Sequence, residues 1–341
     1  MPANLWLLYR QMLRSRLFEE AVSQLWHEGL ISGEMHLGTG EEAIIAGVLF
    51  HLHDGDALAL DHRGTAAMLM RGVDPVALLR EILGRPDGLC RGWGGHMHLF
   101  SKEHLAASSG IVGASGPTAT GFALAAKFLR PGTVAVAFFG DGAVNQGMLM
   151  EAMNLAAVWH LPVLFVCKDD GWAITTRSTE ATAGDLAERA RGLGVEPLEA
   201  DGLEVEDVWE VSGRAVEALR QGGSPCFLHA RCVHLEGHFL GFQLIKAIRT
   251  PMREVPKMAA PLTKSLLRRG APVGERFAGL KAVIGALLET IRDPRQQAGN
   301  DPVVRVREKL KTDSSRLQAL ETEVRDEVTG IVSRALQEES V

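Results

Sequence analysis

Two stretches of the 341-residue chain, 133–139 and 162–167, are continuously apolar, with no alternation of polar side chains. A strand with one wet face alternates, so a strand that does not alternate is buried on both faces. The spacing predicts a helix over 146–158 between them, then a helix over 184–193 and a weak strand over 195–199. A helix over 204–220, opened by an acidic turn, and a strand over 226–233 follow. Strands of this kind separated by helices imply parallel β-α-β units with right-handed crossovers. The expected fold is α/β: a doubly wound, mostly parallel sheet with helices on both faces.

The remainder extends this frame. Leu5, Leu8, Met12, Phe18, Val22 and Leu25 mark one face of a helix over 4–28, with Asn4 as N-cap and Gly29 as stop. A second helix is expected over 41–52 and a third from Asp74-Pro75, with Pro75 in the favoured first position. Residues 85–114 are Gly-rich, aperiodic and too long for a casual connection, which marks them as functional. A small-residue helix over 116–129 follows. After about 243 basic clusters replace the strand signal, and 302–338 reads as charged helix. Three regions result: a ligand-binding domain over 1–242, an atypical connecting segment over 243–300 and a helical C-terminal extension over 301–341.

An apolar share of 46% excludes wholesale disorder, and a net charge of −6 excludes the basic face of a nucleic-acid-binding protein. Cys90, Cys167, Cys226 and Cys232 lack C-x-x-C spacing and read as reduced thiols. The start meets Arg10 too soon for a secretory signal, and the apolar run 161–167 is less than half a membrane span. A soluble cytoplasmic protein without membrane association is therefore expected.

In an open parallel sheet, ligands bind beyond the carboxyl ends of the strands. One predicted strand runs into Gly140-Asp141-Gly142-Ala143-Val144-Asn145, the other into Lys168-Asp169-Asp170-Gly171-Trp172. Carboxylates crowded there repel one another, so a cation is their natural partner, and hard oxygen ligands suit magnesium. A helix starting near Asn145 offers free N–H groups to an anion. Other polar residues read more plainly. His51 and His53 close a helix as solvated groups, Met148, Met150 and Met153 fill core, and His96-x-His98 lacks a third metal ligand.

Gly140-Asp141-Gly142, then 26 residues (143–168) and a polar pair, resembles the thiamine-diphosphate motif, which usually ends in Asn-Asn. His36-Leu37-Gly38-Thr39-Gly40-Glu41-Glu42-Ala43, His62-Arg63-Gly64, Gly92-Trp93-Gly94-Gly95-His96-Met97-His98, Gly110-Ile111-Val112-Gly113 and Gly237-His238 sharpen the match. Together they resemble the alpha subunits of two-component 2-oxo acid dehydrogenases and acetoin dehydrogenases. The resemblance implies magnesium bound by the carboxylates of Asp141 and Asp170 and the backbone carbonyl of Trp172. Gly142 and Ala143 would line the diphosphate, with Arg63 as its main cation and His62 beside it. Gly110 and Val112 would touch the aminopyrimidine. His36, also beside the cofactor, and His238 would be the active-site histidines, handling protons on the substrate.

Departures from that pattern are specific. The usual Asn-Asn is Asp169-Asp170, an extra negative charge that Lys168 is expected to offset in part. His234 stands where an arginine is common and Phe239 where a serine is usual, and Phe242-Gln243-Leu244-Ile245-Lys246 replaces an acidic loop. The leading expectation is an alpha subunit that decarboxylates a 2-oxo acid or cleaves acetoin and passes the acyl group to lipoamide. It implies a beta subunit in an α2β2 tetramer and a lipoyl-bearing acyltransferase as partners. A split transketolase-like subunit and a non-catalytic scaffold of the same fold are the alternatives.

Overall fold

The computed structural model describes residues 3–174, 176–238, 240, 272, 274–279, 281, 285 and 298–337. Phe239, the run 242–246 and most of the connecting segment expected over 243–300 lie outside the described residues. One sheet contains β1 (Ala57–Leu60), β2 (Phe100–Ser101), β3 (Ala106–Ser108), β4 (Ala135–Gly140), β5 (Val163–Asp169), β8 (Glu196–Ala200) and β9 (Cys226–Arg231). Their spatial order is β2-β3-β1-β4-β5-β9-β8, and β6 (Trp172–Ala173) pairs with β7 (Thr176–Arg177) in a separate hairpin. Neighbours in the main sheet run parallel except β2 against β3. The doubly wound, mostly parallel sheet is as expected.

Alternate side chains of each strand enter different cores. Leu58, Leu60, Val136, Phe138, Leu164, Val166 and Leu228 point to one face. There they meet α1 (Leu5–His27), α2 (Glu42–Leu49), α3 (Thr65–Arg71), α4 (Pro75–Ile82) and α9 (Val205–Arg220). Ala57, Ala59, Ala135, Ala137 and Phe139 point to the other face, against α5 (Ser115–Leu129) and α6 (Gly147–Val158). Burial on both sides is the physical reason these strands show no polar alternation.

Local signals set the helix ends. Asn4 Oδ1 accepts from Leu7 N at 3.2 Å, and Asp74 Oδ1 accepts from Val76 N at 3.0 Å ahead of Pro75. The same Asp-Pro device opens α10 (Pro302–Leu310), where Asp301 Oδ1 accepts from Val303 N at 2.9 Å. Asp301 also receives Arg16 Nη1 at 2.7 Å, while Arg16 Nε donates to Glu42 Oε1 at 2.6 Å. That buried bridge ties α1, α2 and α10 together, and α11 (Ser314–Leu336) packs on α1 beside them.

Several expectations need correction. Residues 85–114 are not wholly aperiodic, because they hold β2 and β3, and β1 carries no sequence signal strong enough to be read. Ala-rich segments of three or four residues have weak β-propensity, and pairing to neighbours makes them strands. Asp141–Asn145 is a 3₁₀ turn that the sequence reading does not include, while α6 opens at Gly147, within a residue of the expected 146. His51 is half-buried, with its Nε2 2.8 Å from Trp209 O, and is not a solvated helix end. Met153 is core, but Met148 is exposed. Among the described residues no helix is long and apolar enough to cross a membrane.

Candidate active site

Successive crossovers leave β1 in opposite directions, to β3 on one side and β4 on the other, and a crevice opens where they part. The segments following β1, β3, β4, β5 and β9 surround a cavity of about 200 Å³. Asp61, His62 and Arg63 come from the first, and Ser109, Ile111, Val112 and Gly113 from the second. Asp141, Gly142 and Ala143 follow β4, Asp170 and Trp172 follow β5, and His234 and His238 follow β9. Seven further expectations are thus brought together beside Arg63 and His62: Val112, Asp141, Gly142, Ala143, Asp170, Trp172 and His238.

Burial and the neighbouring Asp170 and Asp169 push the Asp141 carboxyl up to about 8. Ser178 Oγ donates to Asp141 Oδ2, and Asp169 accepts from Gly171 N at 2.8 Å and faces His229 Nε2 at 2.7 Å. Three acids with one proton held among them form a site that gains from a divalent cation. Gly142 lets the β6–β7 hairpin approach closely, because a Cβ at this position would sit 2.9 Å from Ala173 Cβ.

Lys168 does not offset Asp170, contrary to expectation. It is buried with its Nζ 2.6 Å from Glu41 Oε2 and 3.0 Å from Asp61 Oδ2. The counter-charge of Asp170 is His234, whose Nδ1 lies 2.8 Å from Asp170 Oδ2 while its Nε2 lies 2.9 Å from Glu41 Oε1. Burial and Arg63 pull this imidazole down, but the two carboxylates prevail and its pKa is raised. Burial raises the Asp170 and Glu41 carboxyls, and His234 and Lys168 respectively bring them below the ordinary range.

The remaining histidines are held neutral. Ring nitrogens of His36, His62 and His238 lie within 4.8 Å of one another. Burial lowers all three, with His62 at about 4, and the Arg63 charge adds to the effect. Arg63 donates through Nη2 to His238 O at 2.6 Å and through Nη1 to Leu37 O, so it anchors the two histidine-bearing segments as well as facing the cavity. His62 Nε2 is buried with no hydrogen-bond partner among the described residues. Such a group is costly unless a ligand supplies the missing partner.

Two expected residues stand apart from the cavity lining. His36 packs edge-to-face on His62 and His238, with ring centroids 4.6 and 5.5 Å away, but does not itself line the cavity. Gly110 backs onto Met97 and His98, while Val112 and Ile111 form the wall, 50% and 61% exposed. Glu41 and Asp61 carry the charge network and had no role in the sequence reading. Glu41 looks like an ordinary helix opening beside Glu42, and Asp61 has only its neighbours His62 and Arg63 to recommend it. The hydroxyl of Ser178, 37 residues from Asp141, carries no local signal at all.

Comparison with known proteins bears on this geometry. Residues 10–242 match the family model described as dehydrogenase E1 component. The alpha subunit of acetoin:2,6-dichlorophenolindophenol oxidoreductase from Cupriavidus necator is 43% identical over 236 residues, 69% of this chain and 71% of the relative. The protein of the same description from Bacillus subtilis is 40% identical over 239 residues, 70% of this chain and 72% of the relative. The pyruvate dehydrogenase E1 component subunit alpha of Zymomonas mobilis is 37% identical over 273 residues, 78% of this chain and 77% of the relative.

Proposed function

The chain belongs to the dehydrogenase E1 component family as an alpha-type subunit, and from that premise we propose that it binds thiamine diphosphate with magnesium and works with a beta subunit on acetoin or a short 2-oxo acid. The reaction breaks the carbon–carbon bond beside the substrate carbonyl and delivers an acyl group to the lipoamide of an acyltransferase. Thiamine diphosphate, when bound, supplies the electron sink for that cleavage. An α2β2 assembly is the proposed working form.

The residues fit the group. Asp141 and Asp170 offer carboxylate oxygens to magnesium, with the Trp172 carbonyl beside them, and a cation relieves the repulsion that holds Asp141 protonated. Gly142 and Ala143 leave backbone open to the diphosphate, and Arg63 and His62 line the same space. The exposed Ile111 and Val112 give an apolar wall for the cofactor's rings.

His238 lines the cavity as a neutral imidazole, able to accept a proton from the substrate hydroxyl or to return one. His36, neutral behind it, is the second histidine of that work. The observation that carries the reading is the convergence of five sheet-edge segments on one cavity that joins crowded carboxylates to neutral imidazoles. The test is reconstitution with a beta-type subunit and assay of acetoin and pyruvate, with and without magnesium and thiamine diphosphate. Turnover that needs both additions and transfers acyl to lipoamide is expected. Absence of turnover with either substrate, despite assembly, would remove the reading and favour a non-catalytic subunit.

A further inference from the structure

The Gly-rich segment after α4 wraps around a carboxylate that has so far had no part in the site. Glu81, at the end of α4, is 0% exposed. Its Oε2 accepts from Cys90 N at 2.6 Å and Gly92 N at 2.8 Å, and its Oε1 accepts from Gly94 N at 2.7 Å and Gly95 N at 3.2 Å. Four backbone donors on one buried carboxylate are charge-assisted bonds, stronger than neutral ones, and they fix the path of the chain. Gly94 shows how close that path is: a Cβ there would lie 2.2 Å from His98 O and 3.3 Å from Glu81 Oε1.

The wrapped loop ends at the active site. His96 Nε2 lies 3.3 Å from the backbone N of His36 and 3.2 Å from His36 Nδ1, and the two rings stack with centroids 5.4 Å apart. His96 is buried and held neutral, at about 4, by burial and by Arg63. Its Nε2 faces the His36 backbone donor and so acts as an acceptor, which places the His36 ring proton on Nδ1. Beyond it, Met97 and His98 support Gly110, the start of the wall formed by Ile111 and Val112.

We propose that Glu81 is a positioning residue for the active site: its carboxylate is the internal template that folds residues 90–95 and thereby sets His96 against His36, fixing that ring's orientation and tautomer. The proposal rests on the functional reading above for the role of His36, but the template itself does not. Glu81→Gln keeps the shape and replaces one acceptor oxygen with an NH₂ that faces two N–H donors. The loop then loosens while the sheet and its cores remain.

The test uses the chain assembled with its beta subunit, comparing wild type, Glu81→Gln, His96→Ala and the double variant. Glu81→Gln is expected to lower kcat ~10–10²-fold, as displacement of a positioned group by about 1 Å can do. The double variant is expected to be no slower than the slower single variant, since both act through His36. Trypsin cleavage after Arg91 reads the loop without any substrate, and Glu81→Gln is expected to accelerate it. Gly94→Ala approaches the same loop from its other side and is expected to reproduce both effects should Glu81→Gln fail to fold. Unchanged cleavage after Arg91 in the folded variants overturns the proposal, as do losses in kcat that simply add. A wild-type assembly silent on acetoin and pyruvate counts against the functional reading alone, and cleavage after Arg91 still decides the template.

Discussion

His234 and Asp170 face each other at 2.8 Å, Nδ1 to Oδ2, while the other ring nitrogen of His234 meets Glu41 at 2.9 Å. All three side chains are buried, and Lys168 closes the row on Glu41. Removing one member of a buried ion pair leaves an uncompensated charge, at about 3–5 kcal/mol. His234→Leu is therefore expected to destabilise the chain by roughly that amount in denaturant unfolding. Adding Asp170→Asn to His234→Leu is expected to recover part of the loss. Equal stability of the single and double variants would show that the pair is not electrostatically linked.

Asp170→Asn alone keeps an oxygen ligand for magnesium and removes one charge near the diphosphate. Activity within about tenfold of wild type is expected, in line with the range of a single exchanged hydrogen-bonding group. Undetectable activity in a normally folded variant would mean that the carboxylate does something an amide cannot.

Asp141→Ala should behave differently. It removes the carboxylate whose proton a cation displaces, and it relieves repulsion from Asp170 and Asp169. Calorimetry is expected to show loss of magnesium-dependent thiamine diphosphate binding, with the thermal transition preserved or raised. Unchanged cofactor affinity would remove Asp141 from the site.

His238 touches Arg63 mainly through its backbone carbonyl, at 2.6 Å, whereas its ring nitrogen is 3.5 Å away. His238→Ala therefore leaves the anchor in place and removes the acid–base group. A kcat loss of ~10²–10⁴-fold with little change in cofactor affinity is expected in the assembled enzyme. Turnover close to wild type would show that the histidine serves structure alone.

The pH dependence has a definite sign. Asp141 ionises near 3.8 in an unfolded chain but near 8 in the folded one, so the folded state holds an extra proton between these values. Stability of the metal-free chain consequently falls as pH rises through that window. His234, raised above 6.5 by its carboxylates, contributes stability that is complete below that value and is lost as pH climbs through the raised one. Both act in the same direction. Asp141→Asn is expected to match wild type in Tm near pH 4 and to exceed it increasingly towards pH 8. A difference that does not vary with pH would contradict the assignment.

The sequence made the long buried strands β4 and β5 legible because their lack of alternation has one physical meaning. The Asp74-Pro75 helix opening was equally plain, since cap and ring act within three residues. The cavity residues could be read wherever a strand end and a motif coincided, as at Asp141 and Asp170. What escaped was set by distance. β1 and β3 are strands through pairing with one another, β1 also with β4 and β3 with β2, and Ala57 or Ala106 gives no local hint of it. Lys168 was assigned to its sequence neighbours, yet its fully buried ammonium reaches Glu41 and Asp61, more than a hundred residues upstream. His234 found Asp170 in the same way, across the crevice between two strand ends.

β4 sends Phe138 into one core and Phe139 into the other, and Gly140 and Asp141 follow without a spacer. A one-residue insertion or deletion within β4 would exchange the large and small sides of the sheet and turn Asp141 off the rim. Descendants of this chain can therefore change length in surface connections but not inside that strand. The arithmetic of alternation guards the site there as firmly as any choice of side chain.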